Sequence, residues 1–216
     1  MPVFNQLFDE WAANYDETVY GNNNEYIEVF ANYNNILETI SQKIEDKKDG
    51  HILEIGTGTG NLTRLLYQKN FHVTGIEPSQ EMRKIFKSKL PNVEILDGHF
   101  LSVPVKNKVD AIVTSYAFHH LTWEEKKAAL IYLDSILNEK GRMIIADTMF
   151  ESLAYKSNLL KYVASMKSFK LLNDLNTEYY ECVEDICQLF KEQNYSFETI
   201  KMNKYVWIIS AEKGGF

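Results

Sequence analysis

Residues 52–60, Ile-Leu-Glu-Ile-Gly-Thr-Gly-Thr-Gly, restrict the possible folds of this chain more than any other stretch. Ile52, Leu53 and Ile55 read as a buried parallel strand, because such strands are covered on both faces and lack polar alternation. Gly56, Gly58 and Gly60 then let the backbone turn tightly and approach a ligand where a Cβ would collide. Residues 61–68 open a helix whose free N–H groups lie beside that turn, and its positive end suits a bound polar nucleoside. Glu77 ends the next apolar segment, about twenty residues beyond Gly56, where a carboxylate can accept ribose hydroxyls.

At 216 residues the chain suffices for one sizeable core, and its segments alternate between strand and helix patterns. Strands are expected at 51–55, 71–77, 93–96, 109–114 and 142–146, with an antiparallel pair at 197–202 and 205–211. The fold class is α/β, a doubly wound, seven-stranded, mostly parallel sheet in a single domain spanning 1–216. Helices are expected at 6–16 and 25–45, separated by the turn Gly21-Asn22-Asn23-Asn24, so that residues 1–48 form an N-terminal helical cap. Ser79 caps a helix that runs to about Leu90, and Thr122 with Glu125 forms a capping box. An irregular helical insertion over residues 151–176 is longer than an ordinary α/β connection and reads as a lid. A further helix is expected from Glu178 to about Gln193.

Charge narrows the partners. The net charge is −7, the pI is about 5.3, and Lys43 is the first basic residue. No phosphate-tracking patch is visible, so a nucleic-acid partner is not expected. No apolar run approaches the roughly 18 residues needed to span a bilayer, and the N-terminus lacks a cationic signal start. A cytoplasmic protein with no membrane partner is expected. Cys182 and Cys187 lie five apart in an expected helix, on different faces, and the five histidines form no recognisable zinc spacing. No metal is expected.

A ribose carboxylate is shared with nicotinamide-dependent dehydrogenases, and the glycine pattern separates the two readings. A G-x-G-x-x-G fingerprint beginning at Gly56 needs glycine at 61, where Asn61 stands. Glu54 also precedes the turn; it would repel a pyrophosphate but not an amino-acid ammonium.

At these residues the chain resembles the class I S-adenosylmethionine-dependent methyltransferases. Residues 54–61 look like their first motif and Gly75-Ile76-Glu77-Pro78-Ser79 like their second. Residues 110–121 and 141–147 are similar to their fourth- and fifth-strand segments, and residues 8–16 to the N-terminal motif that closes over the cofactor. Coverage is nearly full length and is nearest to a Firmicutes group of uncharacterised methyltransferases. The resemblance implies a Rossmann-like methyltransferase fold, S-adenosylmethionine as cofactor and S-adenosylhomocysteine as product. It places Gly56, Gly58 and Gly60 against the cofactor, Glu54 near the methionine ammonium, Glu77 on the ribose, and Ser115 at the fourth-strand edge. Relatives carry an aspartate after the third strand to read adenine; here the residues are Gly98-His99-Phe100, so His99 bonds the adenine, or Gly98 turns Asp97 into the pocket, or cofactor affinity is weakened, and His99 lining the pocket is the favoured reading.

Methyl transfer is an in-line displacement that depends mainly on alignment and exclusion of water. An acceptor that must lose a proton would find a base in His119, His120, Tyr116 or Tyr15, and Tyr15 with Trp11 would pack over the cofactor. His119 and His120 are the candidate catalytic residues. Tyr155, Leu159, Leu160, Tyr162, Val163, Met166 and Phe169 form a candidate apolar wall in the lid, although helical spacing explains them equally as core. A small-molecule methyl acceptor is the default; a module that binds the nucleoside without turnover, or a nicotinamide-dependent oxidoreductase, is the alternative.

Overall fold

A computed structural model describes residues 15–21 and 25–214. Its middle layer is a seven-stranded sheet of β1 (His51–Ile55), β2 (His72–Ile76), β3 (Glu94–Leu96), β4 (Val109–Ser115), β5 (Leu137–Thr148), β6 (Tyr195–Lys201) and β7 (Val206–Lys213). The strand order is β3-β2-β1-β4-β5-β7-β6, as expected for a doubly wound sheet. The first five strands are mutually parallel, and β7 runs antiparallel between β5 and β6.

Successive β1 residues feed opposite layers. Ile52 packs with α2 (Tyr33–Lys43), α3 (Asn61–Gln68) and α4 (Gln80–Lys89), whereas Leu53 and Ile55 face α5 (Trp123–Ile136) and α8 (Val183–Glu192). Both layers being apolar explains why the strand has no polar alternation. The chain leaves β1 in one direction to build β2 and β3, then crosses back to β4 and β5. The crevice this reversal opens at the carboxyl ends of β1 and β4 is where such sheets hold ligands.

The predicted caps form as the side-chain chemistry requires. The Ser79 hydroxyl accepts from Met82 N–H, and Thr122 and Glu125 complete a reciprocal box at the start of α5. The segment 25–45 differs from expectation: residues 25–32 are turns, and α2 begins only at Tyr33. Asn32 at φ 63° is left-handed, a conformation asparagine tolerates and a continuous helix does not contain. Residues 178–182 are likewise not helical, Phe150 bridges Cys182, and α8 starts at Val183 with Cys182 as its cap.

The insertion consists of two helices, α6 (Leu153–Ser165) and α7 (Phe169–Thr177), joined through Lys167 at φ 58°. Both are tied to the N-terminal turn. Glu25 accepts from the N–H groups of Lys170 and Leu171 at the start of α7, and Tyr26 donates to Asp174. A short helix, α1 (Tyr15–Tyr20), precedes that turn. The expected helix at 6–16 up to Asn14, Trp11 within it, and Asn22–Asn24 lie outside the described residues. No described helix is long and apolar enough to cross a membrane.

Candidate active site

A cavity of about 730 Å³ opens at the carboxyl edge of β1 and β4. Its floor is the glycine turn. Gly56 has φ 75°, and a Cβ there would stand 2.5 Å from that of Ala117, so only hydrogen fits. A Cβ on Gly58 would meet nothing nearer than Tyr15 Cε1 at 3.9 Å; that face of the turn is open to the cavity. The turn is braced from two sides. Glu77 Oε2 accepts from Gly58 N–H and its Oε1 from Ser79 N–H, both at 2.9 Å. Asp16 of α1 accepts from Thr59 Oγ1 at 2.7 Å and from Asn61 Nδ2 at 3.2 Å, and its ion pair with Lys89 holds its carboxyl below the usual range although burial opposes this.

Most of the sequence-predicted residues meet here. Tyr15, Gly56, Gly58, Glu77, His99, Ser115, His119 and His120 all line the cavity. Asp97 lines it too while pairing with Arg83 at 3.2 Å, so both candidates for the third-strand position are present. His99 Nδ1 accepts from Leu101 N–H at 3.2 Å, and the backbones of His99 and Ser102 bond reciprocally, which fixes that loop. Glu54 does not line the cavity. It is buried behind the turn, where Oε2 accepts from Thr63 Oγ1 of α3 at 2.5 Å, and burial pushes its carboxyl up to about 8. Gly60 also sits behind the turn, against Phe86.

The opposite wall carries the histidines. Phe118–His120 is a single 3-10 turn after β4. Asp147, at the end of β5, takes His119 from both sides: Oδ2 accepts from His119 N–H at 2.9 Å, and Oδ1 lies 2.7 Å from His119 Nδ1 and accepts from Thr148 N–H at 2.7 Å. Burial acts to raise the Asp147 carboxyl, but the His119 ring and these donors outweigh it and hold it low. An ionised Asp147 makes Nδ1 the protonated nitrogen of His119 and leaves Nε2 as its lone-pair nitrogen. Tyr180 stacks on the ring at 4.8 Å.

His120 Nδ1 lies 3.2 Å from Glu178 Oε2, at the end of α7. Burial, and then the neighbouring His119, depress the His120 imidazole. Tyr15 and Tyr116 are poor bases, since burial raises both phenols.

The strap that carries Glu178 and Tyr180 is anchored to the histidine turn. Tyr179 N–H donates to His119 O, and the buried Lys126 donates to the carbonyls of Leu121 at 2.6 Å and Tyr179 at 2.5 Å. The sequence showed no sign of this arrangement, because Glu178 lies 58 residues from its histidine partner. One nitrogen of each histidine and a Glu178 oxygen fall within 4.8 Å of one another, a grouping that the sequence spacing of the histidines does not announce.

The lid differs from its predicted form. Leu159 and Val163 are core; Tyr162, Met166 and Phe169 are exposed; none of the seven candidate wall residues lines the cavity. Its contribution is polar, from Asn173, Asp174 and Thr177. Five carboxylate residues, Glu77, Asp97, Glu125, Asp174 and Glu178, line the cavity, and no lysine or arginine does so among the described residues.

Comparison with known proteins accords with this geometry. Residues 52–141 match a family model described as a methyltransferase domain. An uncharacterised methyltransferase of Alkaliphilus oremlandii is 58% identical over 215 residues, covering 100% of both chains. One from Staphylococcus carnosus is 39% identical over 97% of this chain and 99% of its own. Magnesium protoporphyrin IX methyltransferase from Synechocystis PCC 6803, solved with bound SAH, superposes with a TM-score of 0.76 at 15% identity, covering 99% of each chain. The chain belongs to the class I methyltransferase family.

Proposed function

We propose that this methyltransferase takes S-adenosylmethionine in the glycine-turn half of the cavity and methylates a small, neutral or cationic molecule held against the histidine wall. One observation carries the reading: a single cavity runs from the braced glycine turn and Glu77 to the His119–Asp147 pair.

The residues suit the cofactor. Gly58 presents bare backbone, and two backbone donors orient the Glu77 carboxylate, a group whose oxygens accept from ribose hydroxyls. Tyr15 closes over the turn, Ser115 borders it, and His99 or Asp97 faces the adenine end. Glu54 acts from behind the turn rather than by contact with the ligand. When bound, S-adenosylmethionine supplies a methyl group on a sulfonium for in-line displacement.

On the acceptor side, the protein's task is to hold the nucleophile in line and receive its proton. Alignment alone is worth roughly 7–11 kcal/mol in favourable cases. The His119–His120 turn is the place where that proton is received, and Asp147 fixes the orientation of the ring. Because five carboxylate residues line the cavity and, among the described residues, no lysine or arginine does, a carboxylate- or phosphate-bearing acceptor is disfavoured there. The overall charge of −7 argues against nucleic acid.

Calorimetric titration with S-adenosylmethionine and S-adenosylhomocysteine, followed by transfer of labelled methyl to separate pools of amines, phenols, neutral alcohols, carboxylates and phosphate esters, tests the reading. Micromolar cofactor binding with label in an uncharged or cationic product is expected. Absence of cofactor binding refutes the donor assignment, and transfer only to anionic acceptors refutes the acceptor class.

A further inference from the structure

We propose that His119, His120 and Glu178 form a site for a divalent transition metal of the zinc type, set in the acceptor wall of the cavity. One nitrogen from each imidazole and one carboxylate oxygen lie within 4.8 Å of one another. His120 Nδ1 and Glu178 Oε2 stand 3.2 Å apart, about the edge expected between neighbouring ligands each roughly 2.0–2.1 Å from a common ion.

The surroundings are those of a ligand set. Metal-bound histidines almost always donate their other ring N–H to a carboxylate, a backbone carbonyl or water, which fixes the tautomer and strengthens the ligand. Asp147 does this for His119, holding Nδ1 at 2.7 Å and the backbone N–H of the same residue at 2.9 Å, so Nε2 is the coordinating nitrogen. Tyr180 stacked on the ring prevents rotation, and Lys126 holds the strap that delivers Glu178. Two imidazoles and one carboxylate suit zinc, cobalt, nickel or iron better than magnesium or calcium, which prefer all-oxygen shells. All three residues line the cavity, so a further coordination position faces the acceptor space.

The binding claim stands on these side chains alone; only the ion's use rests on the methyl-transfer reading. An acceptor hydroxyl that coordinates the ion loses its proton to water at lower pH, and in the loaded protein His119 is then a ligand rather than a base.

The test uses full-length protein stripped with chelator and titrated with Co(II), followed by Zn(II) competition and calorimetry. Visible d–d bands of an ordered Co(II) site, one equivalent per chain and displaced by zinc, are expected. His119→Ala, His120→Ala and Glu178→Gln should abolish them, and Asp147→Asn should weaken affinity 10–100-fold. His72→Ala, on β2 away from the cavity, should keep the bands. Circular dichroism and S-adenosylmethionine titration of each variant establish that it is folded. A folded, cofactor-binding protein without Co(II) bands, or bands that persist in both His119→Ala and Glu178→Gln, overturns the metal site and leaves the methyl-transfer reading intact. Metal binding without cofactor binding refutes the donor assignment instead.

Discussion

Glu54 gives the sharpest quantitative prediction. It is 1% exposed, its carboxylate accepts from the Thr63 hydroxyl, and burial raises its carboxyl from 4.5 to about 8, with a smaller contribution from Glu77. A raised acid makes the folded chain bind more protons than the unfolded one across that interval, so stability must fall as pH climbs from 4.5 to about 8. At about 1.36 kcal/mol per pH unit, the accumulated cost is about 1 kcal/mol at pH 5, about 3 at pH 7 and about 4–5 at pH 9. Glu54→Gln keeps an acceptor for Thr63 Oγ1 and removes the titration. Urea unfolding of both proteins at those three pH values should therefore show variant and wild type nearly equal at pH 5 and diverging progressively above it, with the variant more stable. Taking the difference cancels other groups that titrate in the same window, His120 among them. Parallel stability curves from pH 5 to 9 would show that the carboxylate is ionised throughout, and that its environment is not the dry one described.

Glu77→Ala removes the carboxylate that braces the glycine turn, and each lost charge-assisted bond is worth roughly 1.5–3 kcal/mol, so S-adenosylmethionine should bind at least tenfold more weakly by calorimetry; an unchanged Kd contradicts the ribose assignment. Asp147→Asn should leave cofactor affinity within about threefold yet lower kcat by about 10²-fold or more, because His119 loses its fixed tautomer; single-turnover transfer at wild-type rate would show that the pair is only structural. Lys126→Met strands the carbonyls of Leu121 and Tyr179 and should cost about 2–4 kcal/mol in urea unfolding, with faster hydrogen exchange over residues 178–181; equal exchange there would separate the strap from the lysine.

The legible parts of the molecule are those whose physics is local. Gly56, Gly58 and Gly60 take φ of 75°, 54° and 90°, values that few other residues adopt, so their spacing announces the turn directly. Ser79 and Thr122 act on N–H groups three residues away, and Glu77 braces a turn placed by the adjoining strand. Helical periodicity in the segment 25–45 misled because one left-handed residue, Asn32, interrupts a pattern that hydrophobic spacing alone treats as continuous. In the lid the same spacing fits Leu159, which is buried, and Met166, which is exposed, since period fixes a face but not what covers it.

His119 and His120 apart, the acceptor half is illegible for a different reason, and that reason bears on function. Its bonds join residues far apart in the chain: His119 to Asp147 over 28 residues, His120 to Glu178 over 58, and Tyr26 to Asp174 over 148. These partners leave no local signal of their pairing, because Asp147 near the end of β5, Asp174 within α7 and Glu178 just after it are ordinary polar residues until the fold delivers them. The donor half is built from one strand–turn–helix unit and its neighbour, and can serve any acceptor. The acceptor half is assembled from β5, the N-terminal turn and the 178–181 strap, so its shape can change without touching the glycine turn. Substitutions in the strap should therefore alter which acceptors are methylated while leaving cofactor affinity in place. A strap variant such as Glu178→Gln that lost cofactor binding and acceptor turnover together would contradict this division of the cavity.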